Sequence, residues 1–269
     1  MSQGYIQEVF SSFQGEGASV EGSCYGLRQI FVRLAGCPLA LGVHGTNGCI
    51  WCDSPKSWST RPKKCLVETK PGSQKFDKTE NPLNPDDVVN IIKNLTTTDL
   101  HSISFTGGEP LFQELFLEET INLLRLNNYK IYLETAFTDN FEFLKKIAKS
   151  IDYACVDVKD RTAEAALNWE KLIEQEFLMC KTLKNAGTKI YAKTVITKAS
   201  KKEDFEILAK RCGEIGVPLV IQFVSPPSGS NIEKPTWEQI NNFTIVAGEY
   251  LPADKIGVSI QMHKAIEIL

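Results

Sequence analysis

The 269-residue sequence lacks a surplus of positive charge, since its 30 Lys and Arg residues are outnumbered by 33 Asp and Glu residues. Binding along a nucleic-acid backbone needs a basic surface, so we expect no nucleic-acid partner. No apolar run approaches the length of a membrane span, so we expect no contact with a membrane. The start of the sequence, MSQGYIQEVF, lacks the basic and apolar regions of a signal peptide, and there is no internal repeat. These absences predict a single cytoplasmic domain over residues 1–269.

Cysteine, in contrast, is well represented, and three of the eight cysteines share one glycine-rich loop: Cys37, Cys49 and Cys52. In a reducing compartment, clustered thiols indicate metal binding or catalysis rather than disulfides. Three thiolates are one short of a closed zinc site, which His44 can complete. They are also one short of the set that holds a [4Fe–4S] cluster, and one iron would then be open to a small molecule. Three unrelated core cysteines are a further alternative, and the loop alone leaves all three open.

Strand-like and helical patterns alternate along the chain from residue 85 onward. Such alternation predicts parallel strands joined by crossover helices. About six such strands are too few for a closed eight-stranded barrel, so we predict an α/β fold, an open partial (β/α)6-type barrel. The polar stretch at about 55–84 is predicted to be an insertion or a mobile lid. The predicted strands are 6–10, 30–34, 101–105, 130–133, 153–156, 189–196, 218–223 and 256–261; the predicted helices are 85–95, 113–126, 141–150, 168–185, 201–213 and 237–251.

Polar residues follow the ends of these strands, and parallel strands bring such residues to one rim. The segment TGGEP at 106–110 joins a glycine pair to Glu109, which can bind an ammonium group or cap the next helix. Asp157 and Lys159 follow a later strand, as a ligand-binding pair or as a solvated ion pair. His263, near the end of the sequence, is a ligand contact or a surface histidine.

Arg33 lies within the apolar strand at 30–34. A guanidinium there must be paired or face a cavity, because an unpaired buried charge is very costly. Its five donors suit a carboxylate, including that of a ligand. Upstream, the segment SSFQGEG offers the Gln14 amide and the Glu16 carboxylate, or is simply a polar turn.

The cysteine loop followed by TGGEP on a later strand resembles the radical S-adenosylmethionine (SAM) superfamily. In that superfamily three cysteines hold a [4Fe–4S] cluster, and the fourth iron binds SAM. More narrowly, SFQGEG, FVRLAGC, CIWCDS, TGGEPL and the late QMHK resemble the 7-carboxy-7-deazaguanine synthase family, over nearly the whole chain. The resemblance implies a radical SAM carbon–nitrogen lyase. Its reaction contracts the ring of 6-carboxy-5,6,7,8-tetrahydropterin to 7-carboxy-7-deazaguanine with loss of ammonia, in queuosine or archaeosine biosynthesis.

The resemblance also implies that the reduced cluster cleaves SAM, that the resulting 5′-deoxyadenosyl radical takes hydrogen from the substrate, and that SAM is regenerated. No catalytic residue is implied beyond cluster and SAM. Mg²⁺ is expected between the substrate carboxylate and Ser54, with flavodoxin or ferredoxin as electron donor and a homodimer as the assembly. The implied substrate-binding residues are Phe13, Gln14, Gly15, Glu16, Arg33, Thr106, Glu134, His263 and Leu269. The implied SAM-binding residues are Trp51, Gly108, Glu109, Asp157, Val158, Lys159, Gln222, Phe223, Val224 and Ser225.

The sequence departs from the family pattern at several positions. Eleven residues separate Cys37 from Cys49, where the superfamily commonly has three. Ser54 stands where many members have threonine, and Leu269 where the family often has proline. Residues 157–159 are Asp-Val-Lys, where the family has Ser-Pro-Lys. The Asp-Val-Lys pattern is nearer to that of enzymes that activate a glycyl radical partner protein. That activity is the alternative function, and a zinc module without enzymatic activity is a further one.

Overall fold

The computed structural model describes residues 2–266, which form one ten-stranded sheet with helices in the crossover connections. The strands are β1 (Ile6–Phe13), β2 (Arg28–Leu34), β3 (Lys64–Glu68), β4 (Phe76–Glu80), β5 (Ser102–Gly107), β6 (Ile131–Thr135), β7 (Tyr153–Asp157), β8 (Lys189–Ile196), β9 (Leu219–Phe223) and β10 (Ile256–Ser259). The helices are α1 (Pro85–Leu95), α2 (Glu114–Leu126), α3 (Phe141–Ala148), α4 (Trp169–Asn185), α5 (Lys202–Ile215), α6 (Trp237–Gly248) and α7 (Met262–Ala265).

The sheet is open, because its order β10-β9-β8-β7-β6-β5-β2-β1-β3-β4 has β10 and β4 at opposite edges. The neighbours from β2 through β5 to β10 all pair in parallel. Six strand–helix units, from β2 to α6, are followed by β10 as a seventh parallel strand. The predicted open partial barrel is confirmed, and the predicted number of parallel strands was one too low.

The stretch at 55–84 is built into the sheet. After a short 3₁₀ turn, Pro55–Trp58, it forms the antiparallel hairpin β3–β4, and β3 pairs in parallel with β1. Glu68 of β3 accepts hydrogen bonds from the backbone N–H of Ser11 and of Gln74, both at 2.9 Å. Strand pairing and the Glu68 side chain therefore hold the segment in the sheet, and the insertion and mobile-lid interpretations stay predictions.

Helix α1 begins at the predicted cap. The Asn84 side chain accepts from the Asp87 backbone N–H at 3.0 Å, and the Asp87 carboxylate accepts from the Asn84 backbone N–H at 3.1 Å. Pro85 occupies the first turn, where its missing N–H costs nothing. This reciprocal cap starts the helix that buries Val88 and Ile92 against the sheet.

Strand alternation separates an apolar side of the sheet from a polar one. In β6, Ile131 and Leu133 enter the large core that the helices cover. Tyr132 points to the opposite side, where its hydroxyl lies 3.0 Å from that of Tyr191. Because successive side chains alternate, Glu134 continues on the Tyr132 side. The side away from the helices is therefore where the strand ends present polar groups.

None of the helices within residues 2–266 has the length and apolar character needed to cross a membrane.

Candidate functional site

One cavity lies where the parallel strands end, and its empty space, open mouth included, is about 1260 Å³. Five successive parallel strands, β5 to β9, supply wall residues: Thr106, Glu134, Asp157, Lys193 and Gln222. The cysteine loop and the segment after β1 complete the wall. The predicted convergence of polar groups at one rim is thus present in the fold.

Most of the predicted site residues share this wall. They are Phe13, Gln14, Gly15, Glu16, Arg33, Cys37, Cys49, Trp51, Cys52, Ser54, Thr106, Gly108, Glu109, Glu134, Asp157, Lys159, Gln222, Val224, Ser225 and His263. Val158 and Phe223 do not line the cavity: the Val158 side chain lies in the large core and that of Phe223 packs against it, and their contact with SAM stays a prediction. Leu269 lies outside the described residues.

The three loop cysteines line the cavity as half-buried free thiols. Within residues 2–266, their sulfur atoms do not all lie within 4.8 Å of one another. A single zinc ion with Zn–S bonds of about 2.3 Å would need its thiolates closer than that. An iron–sulfur cluster binds each thiolate to a different iron and so takes a wider triangle. His44 instead packs its ring edge-on against Phe137, with ring centroids 5.0 Å apart.

Burial raises the pKa of all three thiols, that of Cys49 to about 12. Neutral thiols do not bind metals, so ionisation here needs the positive charge of a bound metal. Backbone N–H groups at Leu39 and Ala40 favour the Cys37 thiolate, and the Trp58 side chain favours that of Cys52. The donor set therefore fits a metal cluster with hydrogen bonds to its sulfur ligands.

The glycine pair of TGGEP packs against the protein's own backbone. A Cβ atom at Gly107 would lie 2.2 Å from the Leu34 carbonyl oxygen, and one at Gly108 would lie 2.2 Å from that of Gly36. The Gly108 backbone N–H donates to Leu34 O at 3.0 Å. The two glycines thus hold the end of β5 against the start of the cysteine loop.

Glu109 is 2% exposed, and each of its two carboxylate oxygens accepts two hydrogen bonds. Oε1 accepts from the Leu111 backbone N–H at 3.0 Å and from the Thr135 hydroxyl at 2.7 Å. Oε2 accepts from the backbone N–H groups of Ala136 and Phe137 at 2.9 and 3.1 Å. Burial nevertheless raises the pKa of Glu109 to about 7. These bonds match the capping interpretation and also fix the loop after β6.

Arg33 is both paired and exposed to the cavity. Its Nε donates to Glu8 at 2.7 Å, and one terminal nitrogen donates to the Ser54 hydroxyl at 3.0 Å. Ser54 in turn donates to Asp53 at 3.0 Å. Two of the five guanidinium N–H donors are used in this way, and no described residue is recorded as the acceptor for the other three. The arrangement therefore presents a fixed cation to a ligand.

Asp157 and Lys159 form an ion pair at 2.8 Å whose side chains are largely buried, so the alternative of a solvated ion pair does not apply. Within the described chain, Asp157 Oδ1 is buried and has no hydrogen-bond partner. An unsatisfied buried oxygen beside a cavity suits a donor from a bound ligand. The Lys159 charge also lies close enough to Cys49 to favour its thiolate. The pair thus lies in the cavity wall next to the cysteine loop.

Glu16, Asp53 and His263 bring their ligand atoms within 4.8 Å of one another, the spacing of a cation site. The Gln261 amide already donates to Glu16 at 2.5 Å and to Asp53 at 2.6 Å. Burial would raise the pKa of Glu16, but Lys193 and the Gln261 bond lower it overall. Burial lowers the pKa of His263 because it disfavours the charged imidazolium.

Sequence reasoning missed Asp53 and Lys193 as site residues. Asp53 follows Cys52 directly, so its position beside a metal-binding cysteine was the available signal. Lys193 lies in the apolar strand segment YAKTVI, the same anomaly that identified Arg33. A charge inside an apolar strand must face a partner or a cavity, and this criterion, which identified Arg33, would have identified Lys193 as well.

Comparison with known proteins identifies the class. The model of the Radical SAM superfamily matches residues 39–212, well over half of the chain. The fold is also that of a radical SAM methyltransferase from Sphaerobacter thermophilus, with a TM-score of 0.56 and 14% identity over 87% of this chain and 70% of that one. The chain is therefore a radical SAM enzyme, which implies a [4Fe–4S] cluster and SAM and excludes the zinc module. A small-molecule substrate and a reductant fit this class.

Curated relatives narrow the class further. A 7-carboxy-7-deazaguanine synthase from Thermococcus kodakarensis is 37% identical over 265 residues, covering 98% of both chains. One from Methanocaldococcus jannaschii is 36% identical over 269 residues, covering 98% of this chain and 100% of that one. The chain belongs to the 7-carboxy-7-deazaguanine synthase family, and the lyase predicted from the sequence is confirmed.

Proposed function

We propose that this enzyme converts 6-carboxy-5,6,7,8-tetrahydropterin to 7-carboxy-7-deazaguanine and ammonia. The observation that carries the proposal is a single cavity lined by the three loop cysteines and by Glu16, Arg33 and Glu134. A metal centre and groups complementary to a carboxylated pterin therefore face the same space. When bound, the cluster and SAM supply the electron and the radical chemistry; the protein supplies binding, orientation and exclusion of water.

The cofactor side is formed by groups next to the cysteine loop. Cys37, Cys49 and Cys52 would hold the cluster. The Asp157 oxygen that has no recorded partner suits a hydroxyl or ammonium donor of SAM, and Lys159 balances the thiolate charge. The SAM-binding side would be completed by further residues of the cavity wall, namely Trp51, Gly108, Gln222, Val224 and Ser225.

The substrate side is formed by groups of opposite charge. Arg33 would pair with the substrate carboxylate through its remaining donors. Glu16 and Glu134 would accept from the N–H groups of the pterin edge, while Thr106 donates to Glu134 Oε2 at 2.9 Å and so fixes its orientation. The Gln14 side chain braces this loop, since it donates to Gln29 at 3.1 Å and accepts from the Glu16 backbone N–H at 3.0 Å.

We also propose that the enzyme uses Mg²⁺, which the Ser54 hydroxyl would help to hold and which would help to bind the substrate carboxylate. The adjacent Asp53 carboxylate supports it, because hard cations prefer oxygen ligands. We also propose flavodoxin or ferredoxin as the electron donor and a homodimer as the assembly; both rest on the family alone.

Anaerobic reconstitution followed by turnover tests the proposal. Protein with iron and sulfide is incubated with reductant, SAM and 6-carboxy-5,6,7,8-tetrahydropterin, and the products are analysed by mass spectrometry. We expect 7-carboxy-7-deazaguanine, with a yield that rises when Mg²⁺ is added. Cleavage of SAM to 5′-deoxyadenosine without any deazaguanine would refute the substrate assignment and favour activation of a glycyl radical partner.

A further inference from the structure

Lys193 is a buried cation at the floor of the cavity. Lys193 is 3% exposed and lies on β8, where it pairs in the sheet register with Asp157 of β7. The ammonium donates to Glu16, lies 3.2 Å from Glu134 Oε1, and lies 3.6 Å from Asp157 Oδ2. A single ammonium group thus contacts three carboxylates.

The three carboxylates come from three different segments of the chain, of which only β6 and β7 pair with each other in the sheet. Glu16 belongs to the segment after β1, whereas Glu134 and Asp157 lie on β6 and β7. A carboxylate on a flexible side chain keeps one orientation only when its hydrogen bonds hold it there. Thr106 and Gln261 each hold one outer oxygen, and Lys193 contacts the oxygens that face one another across the floor. Its contacts therefore set the distance between the two substrate-side carboxylates.

Lys193 also connects the two sides of the cavity. Asp157, which it approaches, is paired with Lys159 at 2.8 Å on the cofactor side. Glu16 and Glu134 belong to the substrate side. Within residues 2–266, no other lysine or arginine forms ion pairs with carboxylates on both sides of the cavity. Lys193 therefore lies between the groups proposed to bind SAM and the groups proposed to bind the edge of the pterin.

We propose that Lys193 is a positioning residue, which holds Glu16 and Glu134 in register with Asp157 so that the substrate lies correctly against bound SAM. The inference rests on the proposed function and assigns a role in it to a residue outside the cysteine and TGGEP motifs. Loss of the ammonium frees the carboxylates to rotate and repel each other. Substrate is then bound loosely and misaligned, and SAM is cleaved without ring contraction.

The test compares Lys193→Met and Lys193→Arg with wild type and with Lys189→Met. Lys189 lies on the same strand but is exposed, so its substitution is a matched control. For Lys193→Met we expect normal iron and sulfide, a KM for the pterin raised by about 30-fold or more, and about tenfold more 5′-deoxyadenosine per product. Lys193→Arg, which keeps the charge, should recover part of both losses, and Lys189→Met should match wild type.

A purely structural role predicts a different result. Lys193→Met would then lower the melting temperature and the amount of active enzyme, while KM and the ratio of 5′-deoxyadenosine to product stayed at wild-type values. That outcome would overturn the proposal. If Lys193→Met does not fold, the double variant Lys193→Met/Glu16→Gln removes one of the carboxylate charges that the loss of Lys193 leaves unpaired. The KM of this double variant must remain raised above that of Glu16→Gln alone. Equal KM values in those two variants would also overturn it.

Failure of the proposed function is distinguishable from failure of this inference. If wild-type enzyme cleaves SAM but neither binds nor converts 6-carboxy-5,6,7,8-tetrahydropterin, the substrate assignment is wrong. If wild type makes 7-carboxy-7-deazaguanine and Lys193→Met does so with unchanged KM and product ratio, only the positioning role is wrong.

Discussion

Replacing Arg33 with alanine removes a guanidinium from the cavity wall beside Ser54. In the proposed complex Arg33 pairs with the substrate carboxylate, and hydrogen bonds to charged groups contribute about 1.5–3 kcal/mol each. Losing a bidentate pair, part of which water replaces, should cost about 3 kcal/mol, a rise in Kd of roughly 100-fold. Arg33 also pairs with Glu8 at 2.7 Å, and both side chains are 21% exposed. The loss of that pair should cost stability about 1 kcal/mol, too little to unfold the protein.

The assay measures binding of the pterin to reconstituted enzyme at equilibrium, together with iron and sulfide content. Arg33→Ala should keep its cluster, since the side chain hydrogen-bonds to Ser54 and Glu8 and to none of the cysteines. Arg125→Ala is the matched control, because it removes an ion pair at 2.6 Å far from the cavity and should leave Kd unchanged. Wild-type affinity in Arg33→Ala, or loss of iron and sulfide from it, would refute the role that we give this residue.

Three further predictions concern the cluster, the buried carboxyl and the first helix. Cys49→Ala should lose most of its iron and sulfide by elemental analysis, while the far-ultraviolet circular dichroism stays that of wild type; full iron content would contradict a cluster at this loop. The raised pKa of Glu109, about 7, means that its contribution to stability is complete below pH 4.5 and is lost as the pH rises to 7, by up to about 3 kcal/mol in urea unfolding. Glu109→Gln should remove that part of the pH dependence, and an unchanged slope would refute the shift. Asn84→Ala, which deletes the cap of α1, should lower the free energy of unfolding by about 1 kcal/mol at unchanged Kd, whereas Asn242→Ala, at an exposed position of α6, should change neither.

Much of the fold followed from local pattern. Alternating apolar segments with caps such as Asn84 predicted the parallel strands and crossover helices, because these signals act within a few residues. The hairpin β3–β4 was not predicted, since its sequence has weak alternation and depends on pairing with β1. β-structure is set by neighbours on the sheet more than by intrinsic preference, so a polar segment such as this one reads as a loop.

The sequence by itself indicated the class of chemistry through its resemblance to radical SAM proteins, which rests on three cysteines in one loop followed by TGGEP at a strand end. Only the tertiary structure decided which side chains share the cavity. The Val158 side chain lies in the core and that of Phe223 packs against it, Glu109 accepts four hydrogen bonds, and Lys193 contacts Glu16, 177 positions away in the sequence. The physical reason is that a side chain's direction and charge partners depend on strand register and on contacts between distant segments, which no local pattern encodes.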